Sequence, residues 1–370
     1  MIFDGFTSVL LYFIVFTLSA VLLRLGDKKK LKSLTMLGLL IVVLFSAFRL
    51  NAGTDTATYR TFYEEVSTST VQRSVDRLKS GEMEPFIIFT AMFGGFIGVG
   101  DWFMFAVFAL ITVYFLYKTT QKLDEKYYWV LYGVCLLMVY PNSFNTMRQM
   151  AAMSVLSYVL SVIIRSVIDG RRRVGAVKIM LLSLFAISLH YSSIALLPIL
   201  LVPYITRRFG YHKTFYIIGF LTILIVTLYK PALQILSSAG VLSPKHFATF
   251  INTEGSLLNF NFLICGFLAF ISALHYRNHR NNNHLNKHNL IILMVGVAYS
   301  AIGFYSGYLG RLADFFWPFA ILMLWQLISE TKETPLKKVA IMYAVAIAYF
   351  ILAFVIMGTN QLIPYDIIGG

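Results

Sequence analysis

The chain has 370 residues, of which 58% are hydrophobic and only 13% charged, with a mean hydropathy of +0.73. Soluble domains carry about 25% charged residues, so this composition excludes a water-soluble fold and points to a polytopic membrane protein. The net charge of +14 does not indicate a nucleic-acid partner, because the basic residues recur in short loops between apolar runs, where they face lipid head groups and set topology.

In chain order, Met1 to Arg24 lacks the basic n-region and small-residue cleavage site of a signal peptide, so the first apolar run is read as a retained span. Runs long enough to cross or nearly cross a bilayer occur at 6–24, 33–49, 102–119, 127–140, 145–168 and 174–189. Others follow at 191–206, 214–231, 259–276, 290–306, 311–329 and 339–358. The expected fold is therefore all-α, a single integral membrane domain over residues 1–370 with about twelve transmembrane helices. A further run, Pro85 to Val99, is short and glycine-rich (Gly94, Gly95, Gly98). It either crosses or lies as a re-entrant or interfacial helix on the outer side.

The distribution of positive charge decides between these. With Pro85–Val99 not crossing, the loops carrying Lys28/Lys29/Lys30/Lys32, Lys118/Lys122/Lys126, Arg171–Arg173, Arg207–Arg208, Arg277/Arg280/Lys287 and Lys332/Lys337/Lys338 fall on one face. That face then holds about 22 Lys and Arg against about 6 Asp and Glu, and the other about 9 against about 11, as the positive-inside rule requires of the cytoplasm. Both termini are placed outside. The long loops are 50–84 and 232–258 on the outer face and 277–289 on the inner face. In the first, Phe62, Val66, Val71, Val75 and Leu78 are scattered among charges, predicting short amphipathic helices on the membrane surface. No internal repeat is evident, which weakens an inverted-repeat transporter reading.

Cys135 and Cys265 lie inside apolar runs, so neither a disulfide nor a Cys-type metal site is expected. His275, His279, His284 and His288 cluster in and beside loop 277–289 without a carboxylate or Cys, and a solvated linker is the simpler reading. No metal and no cofactor is expected.

Once the cytoplasmic charges are explained, a small polar set remains at the outer ends of spans. Arg49 ends the second span; Asp55 follows the Asn51-Ala52-Gly53 turn, and Thr54 or Asp55 could cap a helix carrying Tyr59 and Arg60. Glu84 precedes Pro85, a good helix start; Arg148 and Gln149 open the fifth span; His190 ends the sixth; Arg311 and Asp314 open the eleventh, after Tyr305 and Tyr308. Each has a plain alternative. Arg49 can snorkel to phosphates, Asp314 can neutralise Arg311 one turn away, Glu84 can serve only a helix N-terminus, and His190 can be an ordinary interfacial histidine. Arg60, Glu64 and Glu65 are explained by a surface helix. Three arginines on the face where the positive-inside rule predicts few are harder to explain away.

Arginine's planar fork matches phosphate oxygens. A lipid-linked diphosphate sits at this depth, and its departure develops negative charge that fixed cations stabilise. A carboxylate or histidine within reach of a sugar hydroxyl can take its proton. Asp55, Glu84 and His190 are the candidate catalytic residues; Arg49, Tyr59, Arg148, Gln149, Arg311 and Asp314 are the candidates for binding diphosphate and glycan. Sequence does not choose between Asp55 and Glu84 as the base.

At these residues the chain resembles the EpsG family of bacterial membrane proteins, relatives of the Wzy-type (O-antigen) polysaccharide polymerases. The resemblance rests on R-x-N-x-G-T-D-x-x-x-Y at Arg49–Tyr59, the E-P opening at Glu84, R-Q-x-x-A at Arg148, H-x-S at His190–Ser192 and the late Arg311. Tyr191 stands where the family usually has lysine or another polar residue. The resemblance implies a GT-C-like membrane glycosyltransferase in the bacterial cytoplasmic (inner) membrane. It would polymerise undecaprenyl-diphosphate-linked oligosaccharide repeat units at the outer, periplasmic face, with membrane lipids, a flippase and a chain-length regulator as expected partners. The alternatives are a lipid-linked oligosaccharide flippase or other transporter, an O-antigen-type ligase, and a membrane acyltransferase acting on sugars.

Overall fold

The structure is a computed structural model of the chain, described over residues 4–80, 83–170, 175–238, 260–278, 284–304 and 310–366. The expected loop segments 239–258 and 279–283 lie outside the described residues, as do Arg171–Arg173, His279, Arg280, Tyr305 and Tyr308. The described residues are helical, with no strand. In chain order the helices are α1 (Gly5–Lys28), α2 (Lys32–Ala47), α3 (Thr56–Ser67), α4 (Val71–Lys79), α5 (Pro85–Phe96), α6 (Trp102–Leu123), α7 (Tyr128–Met138) and α8 (Met147–Ile168). There follow α9 (Ala176–Leu189), α10 (Val202–Phe209), α11 (Tyr211–Ser238), α12 (Phe260–Asn278), α13 (His284–Ile302), α14 (Trp317–Ser329) and α15 (Pro335–Phe350). Short 3-10 stretches at Tyr140–Phe144, Tyr191–Leu201, Arg311–Phe316 and Thr359–Gln361 join them.

Seven helical segments among the described residues are long and apolar enough to cross a membrane: Gly5–Lys28, Trp102–Leu123, Met147–Ile168, Tyr191–Phe209, Leu285–Ile302, Arg311–Ser329 and Pro335–Ile356. Several begin where the sequence supplies a cap. The Asp4 carboxylate accepts from the Thr7 N–H at 2.6 Å to start α1. The Thr334 hydroxyl accepts from the Lys337 N–H at 3.5 Å, with Pro335 in the first turn of α15. A proline there costs nothing, because that N–H has no partner inside the helix.

The chain divides into two compact units, one of residues 1–161, 175–194 and 332–370, the other of 162–174 and 195–331. In the first, α1 packs on α2 and α7, α2 on α6, and α5 on α3, α6 and α9. One end of this unit gathers Ser8 of α1, Phe45 of α2 and Tyr365 of the C-terminal segment, where the Tyr365 N–H donates to Ser8 Oγ at 2.9 Å and the Tyr365 hydroxyl donates to the Phe45 carbonyl. In the second unit, α13 packs on α11, α12 and α14, the Asn289 amide donates to the Phe319 carbonyl at 2.9 Å, and His275 pairs with Glu330.

Helix α5 positions the site. Its 12 residues span about 18 Å at 1.5 Å per residue, well short of a hydrocarbon core of about 30 Å. Glu84 and Pro85 open it, as the sequence suggests. It lies tight against α3 because Gly94 and Gly95 carry no side chain: a Cβ on Gly94 would strike the Tyr63 ring, and one on Gly95 the Ser67 carbonyl. Gly95→Ala is therefore expected to destabilise the protein by about 1–3 kcal/mol, the usual cost of overpacking. The fall would be read as a lower melting temperature in detergent. Gly219→Ala, where a Cβ would meet nothing within 4 Å, is the matched control and should not lower it.

Candidate functional site

Three residues that the sequence scatters over three helices meet in the first unit. Glu84, at the start of α5, is 4% exposed, and each of its carboxylate oxygens has a cationic or polar partner. Oε2 accepts from Arg148 Nη1 in the first turn of α8. Oε1 lies 2.5 Å from His190 Nδ1, just past the end of α9. A carboxylate only accepts, so Nδ1 carries the hydrogen and Nε2 is the ring nitrogen left to face a ligand. Burial by itself raises a carboxyl, but the hydrogen bond from His190 and the charge of Arg148 outweigh it and hold Glu84 down to about 2. A carboxylate so strongly held is a weak base at neutral pH. Of its two sequence-level roles, base or partner, Glu84 has the geometry of the partner.

Arg148 spends Nη1 on Glu84 and on Met83 Sδ, 3.1 Å away, while its buried Nε has no hydrogen-bond partner among the described residues. Its guanidinium stands 5.7 Å from the centre of the Tyr59 ring, a ring buried against Phe105. Gln149, beside Arg148, is buried in α8. Past His190, the Ser192 and Ser193 hydroxyls are buried without hydrogen-bond partners among the described residues.

The Arg49–Asp55 loop is built differently from a surface loop. Arg49 is 2% exposed; its guanidinium lies 4.2 Å from the Phe105 ring centre and 4.7 Å from that of Phe144. It donates to the Ser46 carbonyl at 3.0 Å and to Thr56 Oγ1 at 3.3 Å. It does not snorkel to the surface; two aromatic faces hold it instead of a carboxylate. Gly53 follows at φ +101, with its α-carbon so close to the Phe144 carbonyl that no Cβ fits, which explains glycine there.

Asp55 stands at the N-cap position of α3, but its side chain makes no capping bond to the helix. This corrects the expected capping role. One amide atom of Asn145 lies 3.0 Å from both Asp55 carboxylate oxygens, and since a carboxylate only accepts, that atom is the NH2. Asp55 is thus half-exposed and held by a neutral amide.

Arg60 is also more than a surface residue. It donates to the Arg49 carbonyl at 2.7 Å and pairs with Asp101 at 3.2 Å, fastening α3 to the start of α6. Arg311 and Asp314 belong to the second unit, on the 3-10 stretch Arg311–Phe316, with Arg311 exposed. Sequence reasoning missed Asn145, Asn360, Met83 and Asp101. Only the Pro141-Asn142-Ser143 break hinted at the first.

Chemically, the Glu84 cluster offers a fixed imidazole, a guanidinium with donors to spare, and the aromatic face of Tyr59. Such a set can hold an anionic oxygen and orient a hydroxyl. The EpsG family model matches residues 32–367 of the chain. No curated protein and no solved structure matches it.

Proposed function

Because the chain belongs to the EpsG family, we propose that it is a membrane glycosyltransferase that polymerises undecaprenyl-diphosphate-linked oligosaccharide repeat units. The growing glycan passes from its lipid diphosphate to a sugar hydroxyl of a new lipid-linked unit. The reading is carried above all by the Glu84 carboxylate with His190 on one oxygen and Arg148 on the other.

In this reaction the acceptor hydroxyl attacks the anomeric carbon of the donor, forming the new glycosidic C–O bond as the bond to the diphosphate breaks. Arg148 takes the departing diphosphate, whose growing charge it stabilises, and Arg49 supports the wall of the site from behind. Asp55 accepts the hydroxyl proton. His190, fixed by Glu84, orients the acceptor through Nε2. Tyr59 and Gln149 complete the binding surface.

The architecture in this reading is GT-C-like, with twelve spans. The seven long helical segments are joined by α2, α7, α9, α11 and α12, while α5 stays on the outer side. The basic loops then face the cytoplasm and the site faces outward across the bacterial cytoplasmic membrane.

The test is a chromosomal deletion whose surface glycan is sized on a gel. Single repeat units in place of a ladder are the expected outcome. Loss of all exported glycan would replace this reading with a flippase, and a full lipid-linked ladder that never reaches its final acceptor would replace it with a ligase.

A further inference from the structure

The last described residues of the chain do not trail away from α15. From Thr359 to Asp366 they run back over the Arg49–Asp55 loop as a strap. The Gly53 N–H donates to the Gln361 carbonyl at 3.2 Å, and the Leu50 N–H to that of Asp366 at 2.7 Å. The Asn51 amide donates to Asp366 Oδ2 at 3.1 Å. The Tyr12 hydroxyl donates to the Leu362 carbonyl at 3.3 Å, and the Tyr365 ring stacks on Phe45 with centres 4.3 Å apart. Leu362 and Tyr365 are fully buried.

Entry into the strap requires left-handed backbone at Gly358 (φ +64), Asn360 (φ +67) and Gln361 (φ +49). A residue other than glycine pays roughly 1–2 kcal/mol for that conformation, asparagine less than most. The turn brings the Asn360 amide to 2.9 Å from that of Asn142 and 3.3 Å from that of Asn145. Asn145 is the residue whose NH2 holds the Asp55 carboxylate, which leaves its carbonyl oxygen towards Asn360, so the Asn360 NH2 donates to that oxygen and the Asn360 oxygen faces the Asn142 amide. A buried backbone anchor would need no side-chain amide here. The amide contact reaches past the backbone to the partner of Asp55.

We propose that Asn360 is a positioning residue that acts through Asn145 on Asp55, so that the C-terminal strap forms part of the acceptor end of the site. This rests on the reading of Asp55 as the group that takes the acceptor proton. By seating the Asn145 amide, Asn360 limits the rotamers open to the Asp55 carboxylate and keeps it aimed at the hydroxyl.

The experiment uses the purified full-length protein in detergent and, as substrate, the single-unit lipid extracted from the deletion strain. Asn360→Gly keeps the left-handed backbone and removes the amide. It and Asn145→Ala are each expected to slow turnover roughly 10- to 100-fold, the scale of a misaimed catalytic group, with little change in melting temperature. The double variant Asn145→Ala/Asn360→Gly should be no slower than Asn145→Ala alone. Multiplying effects would show that Asn360 acts independently of Asn145 and would overturn the proposal, as would normal turnover in either single variant. If Asn360→Gly does not accumulate, Asn360→Asp, which also tolerates positive φ, is read in the same way. Asp55→Ala is measured alongside: normal turnover there would remove the role of Asp55 itself, and the strap proposal with it. A slow Asp55→Ala with a normal Asn360→Gly would sink the strap proposal alone.

Discussion

Arg148→Ala is expected to leave single repeat units where the wild-type strain makes a ladder, a loss of turnover of at least about 100-fold, the scale of removing one preorganised donor from a developing anion. Two effects combine in that variant. The departing diphosphate loses its planar fork of donors, and Glu84 is left buried without its cation. Breaking a buried pair by deleting one partner costs about 3–5 kcal/mol, so the protein level has to be followed by immunoblot. Arg148→Lys separates the two. A lysine ammonium restores a charge beside Glu84 but cannot offer Nη1 to the carboxylate and a second donor to phosphate in a fixed geometry. The protein is therefore expected to accumulate normally and still make little polymer. A full-length ladder from Arg148→Lys would mean that charge alone suffices, and a normal ladder from Arg148→Ala would remove Arg148 from the chemistry.

Glu84→Gln should have the second largest effect. The amide can still accept from His190 Nδ1, but it carries no charge to balance Arg148 or to hold the imidazole in one tautomer. Turnover is expected to fall on the order of 100-fold, within the range of positioned acid–base groups. Stability changes too, and its pH dependence identifies the cause. In the folded protein Glu84 is held at about 2, against an ordinary value of 4.5. A depressed carboxyl stabilises the fold above its unfolded value, and the contribution fades as pH falls from about 4.5 towards 2. The gap corresponds to roughly 3 kcal/mol as an order of magnitude. The melting temperature of the wild type in detergent should therefore exceed that of Glu84→Gln by a constant margin from pH 8 to about pH 5, and the margin should narrow below that. A margin that changed between pH 8 and 6 instead would show that Glu84 is not the group responsible.

Much of this protein follows from local rules. Helical runs, the short α5 and its Glu84-Pro85 opening are legible because backbone satisfaction in lipid and helix N-terminal geometry act over a few residues. The expected sorting of positive charge to one face comes from a rule that needs only loop composition. The grouping of Arg49, Glu84, Arg148 and His190 at one end of their helices is what counting crossings leads one to expect. What each of them does there does not. Glu84 meets Arg148 across 64 residues of chain and His190 across 106, and only packing decides that one carboxylate serves both. Packing likewise seals Arg49 between Phe105 and Phe144, against the snorkelling that its place at a span end would also allow, and turns Arg60 from a surface charge into a tie to Asp101. Asn360, which lies 218 residues from Asn142, leaves no sequence signal at all. The alternation of apolar and polar residues records which face a side chain takes along its own helix. Which partner it finds there is set by the approach of distant helices, and that is a property of the tertiary structure alone.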